Sequence, residues 1–300
     1  MKDDETQAVL AEKIRALEVP SISRWLRAAL NEWGIIGIAC GVAIYLNNPL
    51  GYILAVLVVG VRRHALTLLG HDGAHFLISR DKDLNDFLVE CFVFWPSFVG
   101  VTAYRMFHVF HHKYLGTLQD LELLHKKLTA PAWDLPMTKW GMVKRVCLDL
   151  VGGGTKEVLV ILRMVGIPQR PRDVIGPLVW WGVVLGALYL LGGMEVAIKV
   201  FFIWNVSMFT SFITVFRLRM WTEHLGTASV YRIAATWFEK QFLPYNTDHH
   251  WEHHTHMNVP FYNLPRVREL YPNPPIETVG AVLKRHYTTT VKILSGQPAV

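Results

Sequence analysis

VIGPLVWWGVVLGALYLLGG, residues 174–193, runs on into MEVAIKVFFIWNVSMFTSFITVFRL, residues 194–218, and between them these two stretches decide the fold. Only Glu195, Lys199 and Arg217 are charged in this length. A hydrocarbon layer takes about 20 apolar residues of helix to cross. Residues 174–192 and 196–218 are each about that long, and Gly192-Gly193-Met194-Glu195 makes a turn between them. Lys199 lies near the turn, where its ammonium can snorkel to a polar boundary. The reading is a pair of membrane-crossing helices joined in a hairpin.

A second pair lies upstream at residues 33–46 and 50–69, joined by Asn47-Asn48-Pro49. A proline there prevents one helix from running through. The first of these runs is short, and Arg62, Arg63 and His64 interrupt the second, so both helices are expected to extend beyond the bilayer on the charged side. Neither inter-helix turn contains Lys or Arg, whereas the N-terminal segment, residues 62–172 and the tail after Arg217 contain nearly all of them. Cationic loops stay on the cytoplasmic side, so both termini and the long middle region are expected there.

Composition agrees, with 52% hydrophobic residues and a mean hydropathy of +0.26. The net charge of +6 is scattered rather than gathered into an aromatic-studded patch, which argues against a nucleic-acid partner. The three cysteines, Cys40, Cys91 and Cys147, form no C-x-x-C pair and are read as reduced packing residues. The acidic N-terminal segment does not fit a secretory leader.

The expected architecture is therefore an all-α integral membrane protein in one domain. It comprises a cytoplasmic segment 1–32, a hairpin 33–69, a cytoplasmic and interfacial region 70–173, a second hairpin 174–218 and a cytoplasmic region 219–300. Residues 87–104, apolar but broken by Pro96, are read as interfacial or re-entrant, because a crossing there would strand the polar motifs on either side on opposite faces.

Those motifs are histidine clusters: His71-Asp-Gly-Ala-His75, His108-Val-Phe-His111-His112 and His250-Trp-Glu-His253-His254. Residues three and four apart share a helix face, so each cluster aims its imidazoles one way. With 87–104 not crossing, all three clusters fall on one side of the membrane. Eight imidazoles exceed the tetrahedral demand of one zinc and suit two ions of higher coordination, with iron the natural choice for redox chemistry. The carboxylates of Asp72, Glu223, Asp248 and Glu252 are placed to orient imidazoles. His64, His125, His256 and His286 are read as packing or surface residues.

H-x-x-x-H, H-x-x-H-H and H-x-x-H-H, in that order between paired spans, resemble the membrane fatty acid desaturase family. Finer matches are His111-His112-Lys113-Tyr114-Leu115-Gly116-Thr117 and Asn246-Thr-Asp-His-His250-Trp-Glu-His253-His254, followed by Val259-Pro260-Phe261-Tyr262-Asn263-Leu264. The resemblance runs from about residue 62 to 272. It implies a further ligand just beyond the last span, which His224 matches, and it selects His250 over His249 through the spacing from Asn246. It also implies a non-haem di-iron centre held by His71, His75, His108, His111, His112, His224, His250, His253 and His254, with no further catalytic group. The implied reaction is O2-dependent desaturation of an acyl or related lipid chain, hydroxylation or ketolation of a lipid or carotenoid being the alternative. A separate electron donor is expected, a ferredoxin or a b-type cytochrome with its reductase. A metal carrier or haem-binding membrane protein would place ionisable residues inside the spans, and these spans have almost none.

Overall fold

The computed structural model describes residues 2–225 and 229–288. Helix α1, Lys2–Arg15, precedes α2, Ile22–Leu46, whose start is capped by the Ser21 hydroxyl accepting from the Arg24 amide. Asn47 adopts left-handed backbone (φ 43°) and ends α2. Asn48 then caps α3, Pro49–Ala74, by accepting from the Gly51 amide, with Pro49 in the first turn, where its missing N–H costs nothing. The chain reverses over three residues. At the far end the Trp25 indole donates to the Leu69 carbonyl at 3.0 Å, so the helices lie antiparallel along their length. As expected, both run past the apolar cores read from sequence.

After α3 come α4, Lys82–Val89, a π turn at Glu90–Phe94, a 3-10 turn at Trp95–Ser97 and α5, Val101–Tyr114. Pro96 and the left-handed Phe98 (φ 56°) break this stretch, and the chain bends by 95° between Ser97 and Val101. A straight crossing is not what these residues build. Asp86 and Glu90 accept ion pairs from Arg105, Arg170 and Arg172, tying α4 to α5 and to the helix that follows Arg172.

Three shorter helices follow: α6, Leu121–Leu128; α7, Lys139–Leu150; and α8, Thr155–Val165, with Gly152 at φ 92° in the break between the last two. Helix α9, Arg172–Ser207, contains one non-helical residue, Gly193, at φ 78° and ψ −179°. Twenty residues of straight helix would span about 30 Å. Yet the Trp181 ring lies 5.0 Å from that of Phe201 and 6.2 Å from that of Trp204. The chain therefore folds back at Gly193, within the glycine turn that the sequence marks. The two hairpin turns meet at one end of the molecule, where Lys199 Nζ donates to Asn47 Oδ1 at 2.9 Å.

A second π turn, Met208–Phe212, leads into α10, Ile213–Met220. Gly60 lets α3 press against it: a Cβ at that position would lie 1.9 Å from Ser211 Oγ and 2.6 Å from the Phe212 amide nitrogen. Among the described residues three stretches, Ile22–Leu46, Pro49–Ala74 and Arg172–Met220, are long and apolar enough to cross a membrane. In the last, only 17% of the most apolar window is buried inside the protein, and residues such as Leu178, Leu190, Leu191 and Phe202 lie exposed along it. A helix that is apolar all round and faces outward needs apolar surroundings.

The remainder forms α11, His250–Thr255, α12, Leu264–Leu270, and α13, Val279–Arg285. Two two-residue strands, β1 (Arg232–Ile233) and β2 (Ile276–Glu277), pair in parallel; this small bridge departs from an all-helical reading. The three cysteines are free, and Cys147 is exposed rather than packed.

Candidate metal centre

Helix α3 carries His71 in its last turn and hands over to His75 at its C-cap. Helix α5 presents His108, His111 and His112, and α11 presents His250, His253 and His254. His224 follows the end of α10. All nine histidines read as ligands from the sequence come together, from four places on the chain.

They form two groups. His71, His75, His108, His112 and His253 have ligating nitrogens within 4.8 Å of one another. His111, His224 and His254 make the second group; His224 also groups with His250 and Glu223, and His250 reaches His254, so His250 is taken with the second group. In the first, successive Nε2 atoms are 2.9 Å apart from His75 to His108, 2.9 Å from His108 to His112 and 3.0 Å from His112 to His253. In the second, His111 Nε2 is 3.1 Å from His224 Nε2, and His250 Nε2 is 3.1 Å from His254 Nε2.

A neutral imidazole nitrogen holds either one hydrogen or one lone pair. His108 and His112 each touch two other Nε2 atoms, so hydrogen bonds cannot satisfy all three contacts in the first group. Convergent lone pairs repel unless a cation sits among them. Two imidazoles at right angles on an ion, with bonds of about 2.1 Å, would bring their nitrogens to about 3 Å. The observed spacing matches, and the donor set fits a transition-metal ion.

The electrostatics favour the ligating form at four rings outside the spans but not at His111, which, although burial lowers it, the carboxylates of Glu122 and Asp120 raise above the usual imidazole range. Burial, reinforced by neighbouring imidazoles, holds His253, His250 and His224 well below the usual imidazole range, and pushes His254 down to about 3. These rings are neutral at physiological pH, with a lone pair to offer.

Orienting groups are in place on the outer nitrogens. Asp120 Oδ1 accepts from His111 Nδ1 at 3.0 Å, which turns Nε2 inward. Glu223 Oε1 lies 3.5 Å from His250 Nδ1. Asp72 lies 3.9 Å from His71 Nδ1, and its other oxygen accepts from the Phe261 amide at 3.0 Å, linking α3 to the segment after α11. Glu252 instead takes ion pairs from Arg232 and Arg268, and Asp248 faces His249, so these two hold the scaffold rather than a grouped imidazole.

Five other histidines lie outside the groups, among them half-buried His256, whose Nε2 lies 2.9 Å from the Tyr271 hydroxyl. His249 is buried beside Asp248 at 3.2 Å. His64 is buried with its Nε2 3.2 Å from the Phe242 carbonyl, a packing role. His125 and His286 are not surface residues: both are buried, one beside Glu157 at 3.3 Å and the other 2.6 Å from the Trp221 carbonyl. Sequence reasoning missed Asp120 and Glu122. The signal for them is a helix start, an aspartate N-cap with a glutamate in the first turn.

The model of the family described as "Fatty acid desaturase" matches residues 47–277, which include all four places that supply histidines. The chain belongs to that family. Among its relatives is the dihydrorhizobitoxine desaturase of Bradyrhizobium elkanii, 26% identical over 256 residues, covering 77% of this chain and 71% of that protein. The sn-1 acyl-lipid omega-3 desaturase (ferredoxin) of Nostoc sp. (strain 36) is 29% identical over 120 residues, covering 40% of this chain and 33% of that protein. This member of the fatty acid desaturase family is thus an oxidoreductase of the desaturase class, with a histidine cluster able to hold metal.

Proposed function

We propose that the chain is a membrane-embedded, non-haem di-iron enzyme that introduces a double bond into an acyl or related lipid chain with O2 as co-substrate. The observation that carries this reading is the convergence of nine imidazoles into two groups, eight of them with an Nε2 about 3 Å from the Nε2 of another. His71, His75, His108, His112 and His253 would hold one iron, and His111, His224, His250 and His254 the other. When bound, iron supplies the dioxygen chemistry that removes two hydrogens from an unactivated C–C bond, the overall change being –CH2–CH2– + O2 + 2 e⁻ + 2 H⁺ to –CH=CH– + 2 H2O.

The protein's own part is to hold the ligands and the carbon chain. A cavity of about 90 Å³ beside His71, His108, His111 and His250 is walled on much of its surface by Tyr104, Phe107, Ile161, Phe216 and Met220, with Glu122 and Arg219 also in its lining. Apolar walls of this kind would exclude water and set a methylene group against the metals. Asp120 keeps His111 in the tautomer that offers Nε2, and Glu223, held by Arg219, lies beside His250.

The two hairpins are the membrane anchor, giving four crossings, with the bent 82–114 stretch re-entrant. Their turns sit together at the end away from the histidines, and the distribution of Lys and Arg supports a cytoplasmic side for the metal site and both termini. Electrons come from a separate donor, a ferredoxin or a b-type cytochrome with its reductase. The word ferredoxin in the name of the Nostoc relative supports the first of these.

Expression in a lipid-producing host, with His253→Ala as the comparison, tests the reaction by mass spectrometry of extracted lipids. Desaturation predicts a product lighter by about two mass units that the variant does not form. A product heavier by about sixteen would replace desaturation with hydroxylation, and an unchanged lipid profile would remove the lipid-substrate reading.

A further inference from the structure

Helix α6 begins nine residues after His112, the last histidine of α5. Its N-cap, Asp120, accepts from the amides of Glu122 at 2.9 Å and Leu123 at 3.4 Å, and the same Oδ1 accepts from His111 Nδ1. One carboxylate therefore fixes both the first turn of α6 and the ring of His111. Glu122, in that turn, has Oε1 held by Lys126 Nζ at 2.6 Å. Oε1 also lies 3.7 Å from His224 Nδ1, and Oε2 lies 3.7 Å from His111 Nε2.

The last distance matters most, because it is to the inward nitrogen of His111. An ion with bonds of about 2.1 Å can touch any two atoms less than about 4.2 Å apart. Glu122 Oε2 and His111 Nε2 meet that condition, and His111 Nε2 is itself 3.1 Å from His224 Nε2. The first group has five imidazoles, whereas the second has four. Glu122 also lines the cavity beside the metals, so its carboxylate faces the site rather than the surface.

Resting on the di-iron reading above, we propose that Glu122 supplies a carboxylate oxygen to the second metal position. The two positions then differ in kind: five imidazoles at one, four imidazoles and an anionic oxygen at the other. A hard anionic oxygen favours the harder, more oxidised ion. Iron at the second position is accordingly held more tightly when oxidised than an all-imidazole site would hold it. Lys126 aims the carboxylate by engaging one oxygen and leaving the other to the metal.

The test uses the full-length protein in lipid nanodiscs, loaded with iron-57 and read by Mössbauer spectroscopy and by the rate at which a chelator strips iron. The wild type should hold two irons in two distinct ferrous doublets of equal area. In Glu122→Gln one doublet should shift or disappear, and one iron should leave about 10–100-fold faster, the effect usual for losing a group that supports a metal. Added formate should restore the slow release in Glu122→Ala. If Glu122→Gln does not fold, Glu122→Asp serves, since it keeps the charge but withdraws the oxygen by about 1.5 Å. Unchanged doublets and release rates in these variants, or failure of formate to rescue, would overturn the proposal while leaving the di-iron reading intact. A wild type that binds fewer than two irons would overturn that reading itself.

Discussion

His111 is aimed from outside by Asp120, a residue nine positions away that also starts a helix. These two duties can be separated. Asp120→Ala removes both, and is expected to cost about 1 kcal/mol of stability from the lost cap and about 10–100-fold in metal affinity from the lost orientation. Asp120→Ser keeps a competent cap and should recover the stability without recovering the affinity. Denaturant melts of the metal-free protein and chelator competition on the loaded protein report the two separately; equal recovery in both would count against an orienting role. Eight of the nine histidines are legible in the sequence because helical spacing of three and four residues is a local property, whereas His224 stands alone and is reached only through the family resemblance. Asp120, Glu122 and the buried partners of His125 and His286 are not, because Glu157 and the Trp221 carbonyl reach them only through the tertiary fold.

Among the elements, the hairpin turns are the part that sequence reads well, since Asn47-Asn48-Pro49 and Gly192-Gly193 carry their own backbone instructions. Helix ends are read less well: α2 begins at Ile22, eleven residues before its apolar run, because the capping Ser21 and the burial of Trp25 extend it. What no local pattern announces is the close crossing of α3 with the π turn at Met208–Phe212. Gly60 is there for want of room, and Gly60→Ala should destabilise by about 1–3 kcal/mol through a clash that includes the Phe212 backbone. Adding Ser211→Ala removes the nearest obstructing atom and should recover part of that loss, a coupling that a double-mutant cycle measures. Gly193→Ala meets nothing within 4 Å, so its expected cost, also about 1–3 kcal/mol, is one of backbone conformation, and Ser211→Ala should leave it untouched.

For the molecule as a whole, the buried imidazoles make the metal-free protein sensitive to acid. His224, His250 and His253 are held well below 6.5 when folded, whereas in the unfolded chain they titrate near 6.5. Between those limits the unfolded chain binds more protons, so stability is full above about 6.5 and falls as pH is lowered, by up to about 1.4 kcal/mol per pH unit for each such ring. Thermal melts of chelator-treated protein from about pH 8 to about pH 5 should show this decline, and bound metal should delay it by competing with protons. A flat profile would mean that the rings are not buried as neutral groups. The placing of the histidines has a last consequence, for the order of manufacture. His253 belongs with His71 and His75, and His254 with His111, so neither group can close until a ribosome has passed residue 254. Both hairpins precede that point in the chain. On the proposed reading anchoring would come first and metal uptake last, and a chain interrupted between residues 218 and 250 would carry both apolar hairpins with neither group complete.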